Sequence, residues 1–504
     1  MDGDPVTPPT EEPEAIVPAA ADSIKDGFGA SRIPPLAVDQ TATATWREVV
    51  RLAWPVLARQ FLILLVGLSD RYLAGHFHPH DESQQVSYQA AQTTANYLSW
   101  LIVCYTVLVT VGSTALVARF VGAEDRRLAI RVTHQSILLA VIFGLAGTTA
   151  GMCGMQPLLQ ALQLQGDSAT FAAQYLWPTF LLLTFEVVEQ AGIACLAGAG
   201  DTITGFWVTA GVAVINFPIA WGLCFGLGPL PELGFPGIAY GTAFSHTLGA
   251  AVVLFLLARG QAGLQLSGRL FWPDLNLIWR LLRVSVPAAV DSMSLIVGQF
   301  WFLSIVNRLG EVASAAHGIA LQWEAMGFLS GTAFGTAAMT LVGQNLGAGR
   351  PDRAAHSGWV AFRLGLGVMC TMGLIFFILA HPMFSLFCPQ DSQQPIVEVG
   401  VPVLRLVAFA MPFVACTVVF TYALRGAGDT RVPVLFTWIG FVGVRIPLAY
   451  FFTMKTVHLG FLGDWPGCDW GLFGAWMAMF ADLVIRGGML FFRFLSGRWK
   501  QIEV

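Results

Sequence analysis

The feature that most constrains this chain is a succession of long apolar stretches, separated by short breaks, from about residue 47 to residue 496. A helix needs about 20 apolar residues to cross a bilayer. Twelve stretches qualify, at about 47–76, 86–119, 130–152, 169–197, 203–227, 236–258, 276–307, 314–344, 356–380, 396–424, 430–455 and 471–496. A spanning β-barrel would instead need alternating segments of about ten residues, and these runs are too long and continuous for that. The expected fold class is therefore an all-α integral membrane protein of about twelve transmembrane helices. Charged residues are 12% of the chain, against about 25% in soluble domains, too few to coat a water-facing surface of this size. The net charge of −4 offers no electrostatic basis for binding nucleic acid.

Residues 1–43 are different in kind. They are rich in Pro, Ala, Asp and Glu without an apolar run, and read as a disordered tail. They lack the basic start and apolar core of a secretory signal. Arg and Lys placement sets the expected orientation. Arg126, Arg127, Arg131, Arg259, Arg269, Arg280, Arg350, Arg353, Arg431, Arg498 and Lys500 fall on one side, with little beyond Arg308 and Lys455 on the other. Both termini are thus expected in the cytoplasm, with the chain in a plasma (inner) membrane.

The two halves repeat each other. Gly198-Ala-Gly-Asp-Thr202 recurs as Gly426-Ala-Gly-Asp-Thr430, and Asn216-Phe-Pro-Ile-Ala-Trp221 answers Arg445-Ile-Pro-Leu-Ala-Tyr450. Ala115-Leu-Val-Ala-Arg-Phe-Val-Gly-Ala123 answers Thr340-Leu-Val-Gly-Gln-Asn-Leu-Gly-Ala348, and Pro55 answers Pro287. Each half has six spans, so equivalent helices point the same way and the pseudo-twofold axis runs along the membrane normal. The expected units are two six-helix bundles at residues 44–258 and 279–504, with a linker at 259–278. The linker is expected to lie along the membrane surface, a packed loop being the alternative.

A charge at mid-membrane costs about 2.5–3.5 kcal/mol on insertion scales, so each intramembrane acid needs a reason. Asp70 falls in the outer half of the first span. A buried carboxylate there can exchange a proton or hold Na⁺ with neighbouring oxygens. The alternative is an ion pair with Arg71 or another basic group. Asp291 and Glu324 should sit near mid-depth in the seventh and eighth spans, with Gln299 and Gln322 nearby in sequence. They either face a cationic substrate or form a hydrogen-bonded pair between the two helices. Glu186 and Glu189, three apart, share a helix face and either line a pore or act structurally. Asp482 and Arg486 read as an i,i+4 ion pair. None of the eight cysteines has metal-ligand spacing. A bridge between Cys388 and Cys468, both in expected outer loops, is the less favoured reading. His76-Phe-His-Pro-His80 superficially resembles a metal site, but alternate histidines close poorly on one ion, and no metal is expected.

The ordered set of motifs resembles the multidrug and toxic compound extrusion (MATE) family. The residues are Pro55 with Gly67-Leu-Ser-Asp-Arg-Tyr-Leu-Ala-Gly75, Leu116-Val-Ala-Arg-Phe-Val-Gly-Ala123, Gly198-Ala-Gly-Asp-Thr202, Gly226-Leu-Gly-Pro-Leu-Pro-Glu-Leu-Gly234, Leu341-Val-Gly-Gln-Asn-Leu-Gly-Ala-Gly349 and Leu424-Arg-Gly-Ala-Gly-Asp-Thr430. The resemblance implies two bundles around a central cavity and export of small organic compounds in exchange for Na⁺ or H⁺, with no bound cofactor. It implies that Asp70 is the coupling acid, with Asn216 and Thr242 as its oxygen-bearing partners. Ala220 and Val66 stand where some relatives carry a second carboxylate and a tyrosine. Val414 stands where some carry an acid in the second half, and Glu186 occupies the mirror position in the first. Phe302 stands where Asp70 would repeat, and Arg445 answers Asn216. The first half is therefore expected to bind the coupling cation, and Asp291 and Glu324 to supply charge for cationic cargo. No GxxxxGK[ST] occurs, so ATP is not the expected energy source. Nothing forms a nucleophile–base set, so an enzyme is not expected. The expected partners are a small organic substrate and the bilayer, with the chain a monomer. The alternative function is a flippase of a lipid-linked precursor, kept open by the mid-helix arginines Arg59 and Arg445.

Overall fold

A computed structural model of the chain describes residues 42–76, 84–161, 166–226, 230–267, 272–390, 393–458 and 464–502. Nearly all of the expected 1–43 tail, and residues 77–80 of the histidine motif, lie outside these residues. The helices of the first half are α1 (Ala42–His76), α2 (Gln84–Gly122), α3 (Arg126–Ala161), α4 (Gly166–Leu181), α5 (Leu183–Gly198), α6 (Thr202–Phe225) and α7 (Pro236–Ala258). Those of the second half are α8 (Leu275–Asn307), α9 (Glu311–Gly347), α10 (Pro351–Ile378), α11 (Ala380–Ser385), α12 (Gln394–Gly426), α13 (Arg431–Trp438), α14 (Ile446–Thr453) and α15 (Gly471–Leu495). Among the described residues, eleven helices are long and apolar enough to span a membrane, and the bent pair α4–α5, with a 50° break, makes twelve. The eleventh span joins α13 to α14 through a π-helical stretch, Ile439–Arg445. Two short strands, Thr456–His458 and Asp464–Pro466, pair antiparallel after α14.

Large apolar side chains such as Val214, Trp207, Trp279, Phe409 and Phe492 stand exposed on the outside of the bundle. A belt of that size requires a non-aqueous surrounding. Inside, two hydrophobic cores form, one per half, and each borrows from the other. Val49, Leu52 and Ala53, at the start of α1, pack into the core of the second half. Leu277, Leu281, Val284 and Ala288, at the start of α8, pack into the core of the first. The two lobes therefore exchange the opening turns of their first helices, up to Pro55 and Pro287.

The sequence repeat is visible in backbone geometry. In each GAGDT copy the second glycine takes positive φ, 91° at Gly200 and 88° at Gly428. The following aspartate N–H reaches back to a helix carbonyl, Asp201 to Leu196 at 2.9 Å and Asp429 to Leu424 at 2.8 Å. This is a helix C-terminus closed by a left-handed residue, a conformation glycine adopts without a Cβ penalty. The other repeated motif forms the seam between lobes. A methyl on Gly122 would strike the backbone of Gln344, and one on Gly347 would strike the backbone of Arg119. Gly122 and Gly347 occupy equivalent positions in the two motif copies, as do Arg119 and Gln344, so the contact is reciprocal, as across a twofold interface. Thr340 donates to the Ala197 carbonyl at 3.1 Å, Gln344 to that of Gly198 at 2.9 Å, and the Gly112 N–H to Ser285 at 2.8 Å. These bonds hold the lobes together at the end that bears the GAGDT turns.

The described part of the linker packs against α3. Leu264 is fully buried. His134 of α3 meets the backbone of Ser267, and Gln135 donates to Trp272 and accepts from the N–H of Asp274. Buried polar groups on α3 satisfy the linker's backbone, so a packed loop is the stable arrangement. Cys388 and Cys468 are free thiols, and Cys388 is buried in the second core.

Candidate functional site

The first lobe is organised by the close approach of α6 and α7. Glycines four apart on α7, Gly237 and Gly241, face the backbones of Leu223 and Ala220 on α6, with no room for a Cβ. Small residues at this spacing let two membrane helices meet at backbone distance. The same approach brings Asn216 of α6 against Thr242 of α7, where the Asn216 amide donates to the Thr242 hydroxyl at 2.8 Å. Ala220 packs against Gly241 at this crossing.

Onto this pair α1 places Asp70, which is 6% exposed. The Thr242 hydroxyl lies 3.2 Å from Asp70 Oδ2 and 3.2 Å from the carbonyl of Ile238. A hydroxyl has one proton to donate, so it serves one of these acceptors at a time. Asp70 Oδ1 and Asn216 Oδ1 are both buried and have no donor among the described residues. Acceptors thus outnumber donors among the described residues of this buried group, and such a group can take up a proton or a small cation ligated by oxygen. The three residues that the resemblance grouped together are brought together by the structure.

Deeper in the same lobe lies a second charged group. Glu189 of α5 is fully buried and its Oε2 meets His246 Nδ1 of α7 at 2.7 Å. Gly249, on the next turn of α7, makes the notch for that carboxylate, because a methyl there would strike it. Arg59 of α1 bonds Gln190 at 3.4 Å, and Glu186 sits half-buried one turn before. Sequence reasoning passed over His246, although a histidine four residues after Thr242 in mid-helix is a signal by itself.

In the second lobe the acids are already matched. Asp291 of α8 is bound at 2.8 Å by Arg425 of α12. Asp482 of α15 receives Arg445 at 2.7 Å and Arg486 at 3.1 Å. In the structure Asp291 is engaged by Arg425 and not by Glu324. A buried carboxylate with no counter-charge is costly, and Arg425 removes that cost. Gln299 accepts from Arg445 at 3.4 Å. Gln322 is exposed and Glu324 half-buried, with Glu324 in electrostatic reach of Arg445 and Arg486. The equivalent of the Asp70–Asn216 site is filled by Arg445, whose guanidinium lies over the Phe302 ring at 5.7 Å. A fixed cation, the Arg445 guanidinium, stands in the second lobe where the first lobe has Asn216. No group of three or more His, Cys, Asp or Glu side chains is arranged to hold a metal among the described residues.

The MatE family profile matches residues 55–221 and 287–451, covering both repeats. The chain is 27% identical over 468 residues to the probable multidrug resistance protein NorM of Thermotoga maritima, covering 91% of this chain and 94% of that protein. It is 30% identical over 463 residues to the probable multidrug resistance protein NorM of Burkholderia pseudomallei, covering 89% and 94%. Its fold resembles a MOP superfamily transporter from Pyrococcus furiosus, with TM-score 0.80, 19% identity and coverage of 90% and 95%. It also resembles the bent form of the Vibrio cholerae MATE transporter VcmN, with TM-score 0.79, 16% identity and coverage of 90% and 97%. With both repeats matched by one profile, and with a twelve-span, two-lobe fold that agrees with it, this chain is an integral membrane protein of the MatE family.

Proposed function

We propose that the protein is a secondary antiporter that exports small organic compounds, with a preference for cations, in exchange for H⁺ or Na⁺. The observation that carries this reading is the pair of buried oxygens, Asp70 Oδ1 and Asn216 Oδ1, that have no donor among the described residues, beside the Thr242 hydroxyl. A proton or Na⁺ bound there satisfies the acceptors and neutralises the carboxylate, and its release restores a buried anion. That change in charge is what biases two conformations against each other. The seam at the GAGDT end is the element that would open and close. With both termini in the cytoplasm, the present arrangement is closed toward the cytoplasm. Relatives named for multidrug resistance support the class of cargo. The arginines that suited a flippase are engaged within the protein: Arg445 with Asp482, and Arg59 with Gln190. The preference for cations rests on the first lobe, where Asp70, Glu186 and Glu189 outnumber the basic groups around them.

The test is efflux of ethidium from proteoliposomes driven by a proton gradient alone or a sodium gradient alone. Asp70→Asn keeps the size and the hydrogen bond to Thr242 but cannot change charge. It should leave the protein folded and lower uphill efflux under either gradient. Uphill efflux at the parent rate would remove Asp70 from the mechanism.

A further inference from the structure

The two lobes differ in how their buried charge is balanced. In the second, three carboxylates (Asp291, Asp482, Glu324) face three guanidiniums (Arg425, Arg445, Arg486). In the first, among the described side chains, three carboxylates (Asp70, Glu186, Glu189) face one guanidinium, Arg59, and one imidazole, His246. One exchangeable cation at Asp70 does not close that difference. We propose that the His246–Glu189 pair is a second exchangeable proton site, so that two positive charges enter for each monovalent cationic cargo that leaves. This rests on the antiport reading above and adds a second site to it.

The geometry is that of a proton-binding pair. Glu189 Oε2 and His246 Nδ1 lie 2.7 Å apart, with side-chain exposure of 1% for the glutamate and 24% for the histidine. The imidazole is the more exposed partner and the carboxylate its buried counter-charge. Glu189 Oε1 has no hydrogen-bond donor among the described residues, and Arg59 is the guanidinium in electrostatic reach of the carboxylate. The pair holds one proton when it is neutral overall, and loss of that proton leaves a buried anion, as release at Asp70 does. Transfer makes and breaks only N–H and O–H bonds, with the proton taken from water on one side and given to water on the other.

The two sites are linked through α7. His246 is four residues from Thr242, about 6 Å along one helix face. The titratable and charged groups around the pair are Glu186 on α5, Asp70 and Arg59 on α1, and Tyr422 of α12 beyond Arg59. α6 contributes the apolar Val212. Histidine is a side chain that takes up and gives up a proton readily, and in this pair the conformation of the lobe decides whether the proton is held. A cationic cargo approaching the first lobe competes with protons at both places.

The experiment counts charge. Proteoliposomes are held at equal pH on both faces in sodium-free buffer, and a potential of about 59 mV, inside negative, is imposed. With two protons exchanged for one ethidium, one net charge moves per cycle, and the steady-state outside-to-inside ratio should approach about tenfold. His246→Gln keeps a donor to Glu189 but cannot carry the charge, and its ratio should fall to one. Glu189→Gln, nearly isosteric, should do the same, and gel filtration checks that both variants fold. A ratio of one in the parent, or an undiminished ratio in either folded variant, overturns the proposal. If Asp70→Asn keeps the full ratio while His246→Gln loses it, the role given to Asp70 fails and the second site stands. The opposite pattern overturns the second site alone.

Discussion

Replacing Asp291 by Asn leaves Arg425 buried without its counter-charge. The guanidinium side chain is 7% exposed and sits 2.8 Å from a carboxylate that is 3% exposed. Removing one partner of such a pair costs about 3–5 kcal/mol, whereas replacing both with apolar groups of similar volume is often neutral or better. Unfolding entropy of about 2.1 cal/mol/K per residue makes this a fall of about 3–5 °C in melting temperature for a chain of this size. The assay is a double-mutant cycle on detergent-purified protein: Asp291→Asn, Arg425→Met, and Asp291→Leu with Arg425→Met, each melted and followed by fluorescence-detected gel filtration. Both single variants should lose stability and the apolar pair should recover most of it. Binding of cationic and neutral cargo should fall in parallel in the single variants, as expected when folding is what suffers. An Asp291→Asn protein as stable as its parent, with selective loss of cationic cargo, would refute the reasoning and return Asp291 to the cavity.

The remaining predictions concern the seam and the orientation. Gly122→Ala and Gly347→Ala each force a Cβ into the partner lobe's backbone. Overpacking of about 1–3 kcal/mol should shift the closed seam toward opening by about 5- to 150-fold. A cysteine at the buried Thr340, in a cysteine-free background, should then gain maleimide reactivity in both variants to a similar degree, and an effect in only one would break the twofold account. Reporter fusions after residues 160 and 390 should read outside, and those after 125, 265 and 350 inside, an inside reading at 390 contradicting the two-half topology.

Much of the architecture was legible because hydropathy and repetition are local or self-referential. The spans follow from apolar length, and the paired GAGDT turns from identical residues meeting identical backbone demands. The bend between α4 and α5 was not legible as a break, since its residues stay apolar across Leu182. The candidate site divides along the same line. Asp70 stood out as a buried acid, but its partners lie far away in sequence and only the family resemblance grouped them. Arg425 was quoted within a motif, yet nothing in the sequence says that it reaches Asp291, 134 positions earlier. The same blindness hid Glu189 from His246. Charge counts by themselves do not show pairing, because acids in the second half look free until their arginines are seen.

The exchanged opening turns of α1 and α8 have a consequence for biosynthesis. Neither bundle contains all of its own core. As the chain is made, α2 to α7 can insert and pack, but the surface awaiting Leu277, Leu281 and Val284 stays open until α8 arrives. Val49, Leu52 and Ala53 meanwhile wait for α9 and its neighbours. The first half is therefore an unfinished intermediate rather than an independently folding unit, and it exposes an apolar groove where intermediates are most prone to misassembly. Completion of each lobe by the other makes late maturation a single concerted step.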